Sequence, residues 1–570
     1  MKTFRIHLPR SSVALAATAS MLATAAAAAG PTPGTFVWQT VVNNGDNVPG
    51  TQKRYNSYNQ PSVNAGGLVV FRARSTGGSQ GRESGIYTRQ MPGGDINTIA
   101  NLKKVVPDPN NTSYPAPGGG GAQLGRFIEF PSIPRIAIST DALATRGNHR
   151  PVWTPESGDE RVGTTGVYVD LDGNDSESAL LTGASKLGAV PGSSFFAVPG
   201  ATPGTFFDVF PGSPAITDDG TIAFKGNYTE GGIAKTGVYY RVLISGGAYG
   251  ESPVRLIANS DTEIPYLPPG VRKKFGSFDS TSPPSAAAGS AVFVGLDNED
   301  DPSYGGIYEA QLNPTKEPDA LSPLTLLVGL GTRVPGLTGP GFTRLGEGLS
   351  WDGRFIAFWG AWGMSTKTVR LYCPTEGNKL RQAFCRSEES GSTLDPAAGD
   401  WYQEKRIPIN QGIFVHDAAT GQNRLVARTN SDFDDFVFWN FSGRVQGMEE
   451  GDDGEPARWR SAVFIAVSGD SIAFKARTGT IDRVTHVYVA PMDGIYLQRG
   501  VNAPLEIVAD TTMDGATLDP EAAGLPITEL GLERDGFRGS ELVINARMGV
   551  EEGAEGESWA GIYLTGVSAR

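Results

Sequence analysis

The sequence predicts an all-β fold, a seven-bladed β-propeller of four-stranded antiparallel blades whose ring is closed by the N-terminal strand joining the last blade. Three observations predict it. A Gly-Ile/Val-Tyr/Phe motif recurs at Gly85-Ile86-Tyr87, Gly166-Val167-Tyr168, Gly237-Val238-Tyr239, Gly306-Ile307-Tyr308, Gly412-Ile413-Phe414, Gly494-Ile495-Tyr496 and Gly561-Ile562-Tyr563. A period of roughly 70 to 80 residues built only of strand signals belongs to an array of sheets. Each motif is preceded by a second apolar strand and followed by a third, and the two chain ends supply complementary parts of one unit.

Taking the elements of a unit in order, strand A is short and ends in an Asp, Asn or Gly turn, as in Pro61-Ser62-Val63-Asn64-Ala65-Gly66, residues 214–220 and residues 349–353. Strand B carries an apolar residue, any residue, then Gly or Ala: LVVFRARS at 68–75, TIAFKGNY at 221–228, AVFVGLDN at 291–298, FIAFWGAW at 355–362, SIAFKART at 471–478 and LVINARMG at 542–549, with ALATRGNH at 142–149 as a degenerate copy. Strand C holds the motif. Strand D is an outer strand such as VRLIANS at 254–260, LTLLVGL at 324–330 or NRLVART at 423–429. The last unit stops after strand C, whereas WQTVVNNG at 38–45 reads as a strand D lacking its A, B and C. Joining the two removes an exposed sheet edge.

The strand A, Asp-Gly turn, Ala-Phe strand and Ile-Tyr succession resembles the propeller domain of the periplasmic Tol-Pal system protein. With the Val-Pro-Gly loop at Val48-Pro49-Gly50, Val190-Pro191-Gly192 and Val334-Pro335-Gly336, the unit resembles tandem repeats of uncharacterised secreted bacterial proteins. The resemblance spans roughly residues 36 to 567 and implies a propeller scaffold, which by itself implies no activity. No separate domain like the N-terminal one of the Tol-Pal protein stands ahead of the repeats.

Residues 1–29 open with Lys2, Arg5 and Arg10, continue as a small-residue apolar run and end in Ala-x-Ala options near Ala29. That is the pattern of a bacterial Sec signal peptide. Residues 30–570 are then one propeller domain with a long insertion at about 363–411, secreted or periplasmic. No later run reaches the roughly 18 apolar residues of a membrane span. The 75 Gly and 39 Pro with 19% charged residues fit turn-dense β structure. A net charge of −13 argues against nucleic acid, whose phosphates need a basic face. Cys373 and Cys385 are the two cysteines, both in the insertion, and in an exported chain such a pair reads as a disulfide.

Antiparallel blades place the D-to-A and B-to-C connections on one face. The long segments 184–212, 261–284, 363–411 and 430–460 all belong to it, so that face is the expected binding face. Strand B register puts Arg72, Arg146, Lys225, Val294, Trp359, Lys475 and Asn545 at one position, and Arg74, Asn148, Asn227, Leu296, Ala361, Arg477 and Arg547 two residues on. Two readings follow: long cations packing their stems between blades against acidic partners, or an arc of guanidinium forks for a carboxylate or sulfate. Trp359 and Trp362, with Trp401, Tyr402, Trp439 and Trp459, offer either a sugar-stacking face or packing for the insertion.

His149 and His486 fall in B-to-C connections near Arg146 and Arg477. They are the candidate bases, with Arg146, for β-elimination from a uronate, in which an arginine neutralises the carboxylate and His or Tyr takes the proton. The acidic groups Asp432, Asp434, Asp435, Glu449, Glu450, Asp452, Asp453 and Glu455, the run Asp297, Glu299, Asp300, Asp301, and Asp170, Asp172, Asp175 read as solvated surface or as oxygen ligands for Ca²⁺, without EF-hand spacing. A carboxylate such as Asp434 or Glu450 is the counterpart for a glycoside hydrolase. The expected partner is an extracellular or cell-envelope glycan, anionic in the leading reading, or a protein, bound by a monomer. The alternatives are a polysaccharide lyase at the same face and a structural or protein-interaction propeller.

Overall fold

A computed structural model describes residues 30–75, 77, 81–111, 124–149, 165–175, 178–186, 196–243, 252–276, 280–375, 378–445, 456–550 and 557–568. The expected signal peptide and the Val190-Pro191-Gly192 loop lie outside these residues. Nearly all regular structure is β. Each motif copy lies in a separate antiparallel sheet with one strand order: a short inner strand, the second strand, the motif strand and an outer strand. The first sheet is Tyr55–Tyr58 with Ser62–Val63, then Leu68–Ser75, Ser84–Gln90 and Ile96–Asn101. In the seventh, Ile527–Gly531 with Phe537–Arg538, Glu541–Gly549 and Ser558–Gly566 are completed by Trp38–Asn43, which pairs antiparallel with Ser558–Gly566. Thr32–Pro33 adds in parallel to the outer strand Leu505–Asp510 of the sixth sheet.

The motif has a local cause. Its Tyr folds back over its Gly: a Cβ on Gly237 would lie 2.5 Å from the Tyr239 hydroxyl, and one on Gly561 2.5 Å from that of Tyr563. The outer strand shifts register opposite the Ile-Tyr step in the first, third and seventh sheets, a bulge that opens room for the ring. An inner-strand aromatic then meets the motif ring edge-on, as in Phe207–Tyr239 at 5.0 Å and 83° and Phe342–Phe414 at 4.9 Å and 90°. Each such pair contributes about 0.5–1.5 kcal/mol beyond burial.

Hydrophobic clusters lie between sheets and not within them. Val70 and Ile86 of the first pack on Phe127 and Tyr168 of the second, and Val69 and Phe71 on Val543 and Ile562 of the seventh. Both faces of a sheet are therefore buried, which explains why the second strands are nearly continuous apolar runs. The inner strands are stitched by hydrogen bonds: Ser62 Oγ to Pro134 O at 2.9 Å, Ser139 N to Asp218 Oδ1 at 2.7 Å, Trp351 N to Ser285 Oγ at 3.2 Å, Val467 N to Ser350 Oγ at 3.0 Å, Ser468 Oγ to Gly539 O at 2.9 Å and Val63 N to Asp535 O at 2.9 Å. The Thr236 and Thr281 hydroxyls, 3.0 Å apart, join the third sheet to the fourth.

The insertion is more than a loop. Thr366–Tyr372, Asp400–Pro408 and Thr393–Asp395 form a three-stranded sheet, followed in space by the helix Lys379–Cys385, whose N-cap Asn378 accepts from Leu380 N and Arg381 N. A Cys373–Cys385 disulfide ties helix to strand. It sits in an apolar cluster with Phe441, against Phe384, Trp401 and Trp459. Phe441 and Trp459 belong to a hairpin, Phe438–Ser442 with Arg458–Ala462, between the fifth and sixth sheets.

Candidate functional site

The second strand of the first sheet positions Arg72 and Arg74 on the same side as Val70, toward the second sheet. Arg72 is buried and its Nε has no hydrogen-bond partner among the described residues. Burial, then the neighbouring Arg74 charge, pulls its guanidinium down to about 9. Arg74 is half-buried and is lowered likewise, with Arg82 and Arg381 adding repulsion. Facing them is Glu129, at the end of the inner strand Phe127–Glu129 of the second sheet. Its Oε2 accepts from Arg444 Nη2 at 2.5 Å and from Asn148 Nδ2 at 3.2 Å. Burial pushes its carboxyl up, but Arg444, Arg72 and Arg74 outweigh that and hold it below the usual glutamate range.

Three guanidinium groups thus act on the Glu129 carboxylate, and a fourth, Arg381, repels Arg72 and Arg74 from nearby. Arg72 and Arg74 come from a sheet, Arg381 from the insertion helix, and Arg444 from the segment that follows the Phe438–Ser442 strand. Sequence register found the first two. Glu129, Arg381 and Arg444 were missed because they meet through excursions whose docking has no local signature; the nearest signal was Phe127, the inner-strand aromatic two residues before Glu129.

The other register positions take different environments. Arg477 is held by Asp493, its cross-strand partner within the sixth sheet, through Nε at 2.6 Å and Nη2 at 2.9 Å. Lys475 is buried over the Phe438 ring at 4.2 Å, and burial lowers its pKa. Arg547 approaches Glu529 at 4.0 Å. Arg146 and Lys225 are buried, with Arg146 Nε 3.5 Å from Thr165 Oγ1. Asn227 is buried, and neither of its amide atoms has a partner among the described residues.

The tryptophan face is corrected. Trp359 and Trp362 are each 7% exposed; Trp359 donates to Gln411 Oε1 at 3.1 Å and Trp362 packs edge-on to Phe414. Their rings fill the cores flanking the fifth sheet and offer no open surface for a sugar.

The two histidines separate. His149 is the last residue of Leu143–His149, not a loop residue; it is 1% exposed and edge-on to Tyr168 between the first and second sheets. His486 lies in the hairpin turn between Ser471–Ile481 and Tyr488–Gln498. Its Nδ1 is 2.9 Å from Glu404, which also approaches Arg370.

Among the described residues no three His, Cys, Asp or Glu side chains converge on a point that could hold a metal ion. Four of the carboxylates considered for Ca²⁺ accept backbone and side-chain hydrogen bonds. Asp297 accepts from Ser303 N and Tyr304 N, Asp170 from Asp172 N and Ser178 Oγ, and Asp434 from Gly479 N. Asp435 is buried, bonded to Gln411, Tyr488 and two backbone amides. Glu449, Glu450, Asp452, Asp453 and Glu455 lie outside the described residues.

A second ionic network joins inner strands. Arg135, 1% exposed, reaches Glu533 at 2.5 Å and Asp535 at 3.2 Å; Asp535 also pairs with Arg538. Arg534 beside them is pulled down to about 10 by burial and by Arg135. Its backbone oxygen accepts from Ser350 Oγ at 2.6 Å and its Nη1 donates to Pro283 O at 3.3 Å, linking the seventh, fifth and fourth sheets. Every charge here has a partner, so the network is mechanical.

The chain matches no protein family and no curated sequence. Among solved structures it is similar to polysaccharide lyase Uly1, at 10% identity over 95% of this chain and 100% of that one, with a TM-score of 0.38. It is similar to the Trypanosoma rangeli sialidase at 10% identity over 94% of this chain and 60% of that one, TM-score 0.34. The β-propeller domain of the Pyrococcus furiosus Trilobed protease gives 8% identity over 62% and 79%, TM-score 0.23. None of the three supports a residue assignment here.

Proposed function

We propose that residues 30–570 form a closed seven-bladed propeller, exported after removal of residues 1–29, which as a monomer binds an anionic glycan at the arginine cluster on its loop face. The ring reading is supported by the cyclic succession of inner-strand hydrogen bonds and shared cores, and by the pairing of Trp38–Asn43 with Ser558–Gly566. Export is supported by the leader pattern and by a disulfide, which persists in oxidising compartments. Among the described residues no helix is long and apolar enough to cross a membrane.

One observation carries the binding reading: Arg72, Arg74 and Arg444 act on the carboxylate of Glu129 while Arg381 adds its charge beside Arg72 and Arg74, a concentration of guanidinium groups in a chain of net charge −13. Arginines lowered by mutual repulsion and burial gain most from an incoming anion, through charge-assisted forked hydrogen bonds. The test is a glycan array read with purified residues 30–570, followed by titration of the best ligand. Retention of carboxylated or sulfated glycans and not of neutral ones is expected, and indifference to glycan charge would overturn the reading.

A second reading, a polysaccharide lyase at the same face, is favoured by one placement: His149 and Tyr168 lie in the same inter-sheet seam as Arg72. It requires His149 to reach a substrate carbon from beneath the cluster. Growth of the ultraviolet absorbance of an unsaturated uronate on incubation with carboxylated polymers, lost in His149→Ala, tests it. Binding without that signal assigns the face to recognition.

A further inference from the structure

Glu129 stands out inside the arginine cluster. It is a carboxylate among guanidinium groups, it lies on an inner strand whose register partner is Asn148, and its Oε2 receives both Arg444 and Asn148. The guanidinium groups acting on it, Arg72 and Arg74 from one sheet and Arg444 from the hairpin segment, come from two separate regions of the chain, so the place it occupies is one the fold assembles for an anion and not one that its own strand provides. With its side chain 37% exposed, it is reached by solvent, whereas Arg72 is buried.

Asn148 supplies an independent observation. It is 7% exposed, its Nδ2 is committed to Glu129, and its Oδ1 is buried with no hydrogen-bond partner among the described residues. A buried carbonyl oxygen without a donor costs roughly 1–3 kcal/mol. A ligand placing a hydroxyl next to its anionic group would satisfy both halves of this carboxamide's surroundings at once: hydroxyl to Oδ1, anion to the guanidinium groups. That juxtaposition belongs to a sugar ring bearing a carboxylate or sulfate, and a bare inorganic anion lacks it.

We infer that Glu129 is a built-in occupant of the anion site, holding Arg444 and screening Arg72 and Arg74 until a hydroxyl-bearing carboxylate or sulfate of a glycan takes its place, so that it sets the threshold of ligand charge density the site accepts. The inference rests on the anionic-glycan reading of the same cluster. Its consequence is opposite in sign to that of every arginine there: removing the Glu129 charge strengthens binding, because the ligand no longer competes with, or is repelled by, a resident carboxylate.

The experiment measures the affinity of residues 30–570 for polygalacturonate, dextran sulfate and unsubstituted dextran by calorimetry, in wild type, Glu129→Gln, Glu129→Ala and Arg74→Ala. The two Glu129 variants are expected to bind a charged polymer about three- to tenfold more tightly than wild type, the size of a single like charge removed at partly solvated range. Arg74→Ala is expected to bind more weakly, and dextran not at all. Whichever charged polymer responds tells carboxylate from sulfate. If Glu129→Gln does not fold, Glu129→Ala carries the measurement, with thermal melts confirming the fold. Weakened binding in Arg74→Ala with unchanged or weaker binding in the Glu129 variants overturns the inference while leaving the site reading intact; Glu129 then merely supports the arginines. Equal binding in all four proteins overturns both.

Discussion

Arg135 Nη2 and Glu533 Oε1 are 2.5 Å apart although 398 residues separate them, and both side chains are almost fully enclosed. This contact joins the second sheet to the seventh past the inner strand of the first, which itself donates Val63 N to Asp535 O. The ionic hub therefore ties together units remote in sequence at the point where their inner strands meet.

A buried pair of this kind is costly to break from one side, since an uncompensated charge is left behind. Arg135→Ala is expected to lower stability by about 3–5 kcal/mol. The same figure is expected for Glu533→Ala, tempered by Asp535, which can still receive Arg135. Denaturant unfolding checks this, and a midpoint within error of wild type for Arg135→Ala would show that the hub is dispensable.

Deleting residues 30–45 removes Trp38–Asn43 from the seventh sheet, exposing the Ser558–Gly566 edge and the core face of Ile562. It also deletes the Asn43 Nδ2 to Asp519 bond at 2.8 Å. An unpaired edge next to an opened core affects both neighbouring sheets, so global unfolding at lower temperature is expected, not fraying of one end. A single scanning-calorimetry trace with an unshifted Tm in the truncated protein contradicts this.

The architecture was legible because it is written locally and repeatedly. The Gly-Ile/Val-Tyr/Phe motif follows from a ring folding back on the glycine two residues before it, a constraint that acts within one strand and is seen at Gly85, Gly166, Gly237, Gly412, Gly494 and Gly561. Arg72 and Arg74 were legible for the same reason: strand periodicity fixes their side. Trp359 and Trp362 stayed open between a sugar face and packing because period two shows which side of a sheet a residue takes, but not whether a core or a cleft fills that side. Glu129, Arg381 and Arg444 were invisible because their meeting depends on how the disulfide-tied insertion and the Phe438–Ser442 hairpin dock.

On the proposed anionic-glycan reading, that docking ties the disulfide to the binding site as well as to the insertion. In the chain-entropy model a short loop of this kind, with Cys373 and Cys385 12 positions apart, is worth about 3 kcal/mol. Its loss is expected to loosen the helix carrying Arg381 and the Phe441–Trp459 contact more than the seven sheets. Cys373→Ser with Cys385→Ser is expected to speed proteolysis within the insertion and to weaken anionic-glycan binding while the main melting transition moves little. Loss of the main transition instead would show that the insertion is part of the cooperative core.

Arg74 and Arg477 occupy equivalent register positions but have opposite surroundings, which separates binding from scaffold. Arg74 faces Glu129 among other guanidinium groups, whereas Arg477 is forked onto Asp493. Arg74→Ala is expected to cost about 1.5–3 kcal/mol of glycan binding with the fold retained, the usual worth of a charge-assisted hydrogen bond. Arg477→Ala is expected to lower stability and leave the affinity of the folded protein unchanged. Reversed effects would move the site from the first and second sheets to the sixth.

Acid provides the last test, through Glu129. Burial raises its carboxyl, but Arg444, Arg72 and Arg74 overcome that and hold it below its usual range. A carboxyl lower in the folded than in the unfolded chain contributes stability fully above its unfolded value of about 4.3, and that contribution disappears as the pH falls through the lower folded value. Other carboxylates share the acid limb: Lys103 holds Glu83 down, and Arg354 brings Asp417 to about 2. Wild-type acid unfolding alone therefore cannot single out Glu129, whereas the difference from Glu129→Gln can. The variant is expected to be less stable than wild type near neutral pH, because Arg444, Arg72 and Arg74 then lose the Glu129 charge, and the gap should close as acidification protonates Glu129 in the wild type. Urea midpoints at a series of pH values measure it. A gap that stays constant from neutral pH into the acid limb would mean that Glu129 contributes shape and hydrogen bonds there, and not charge.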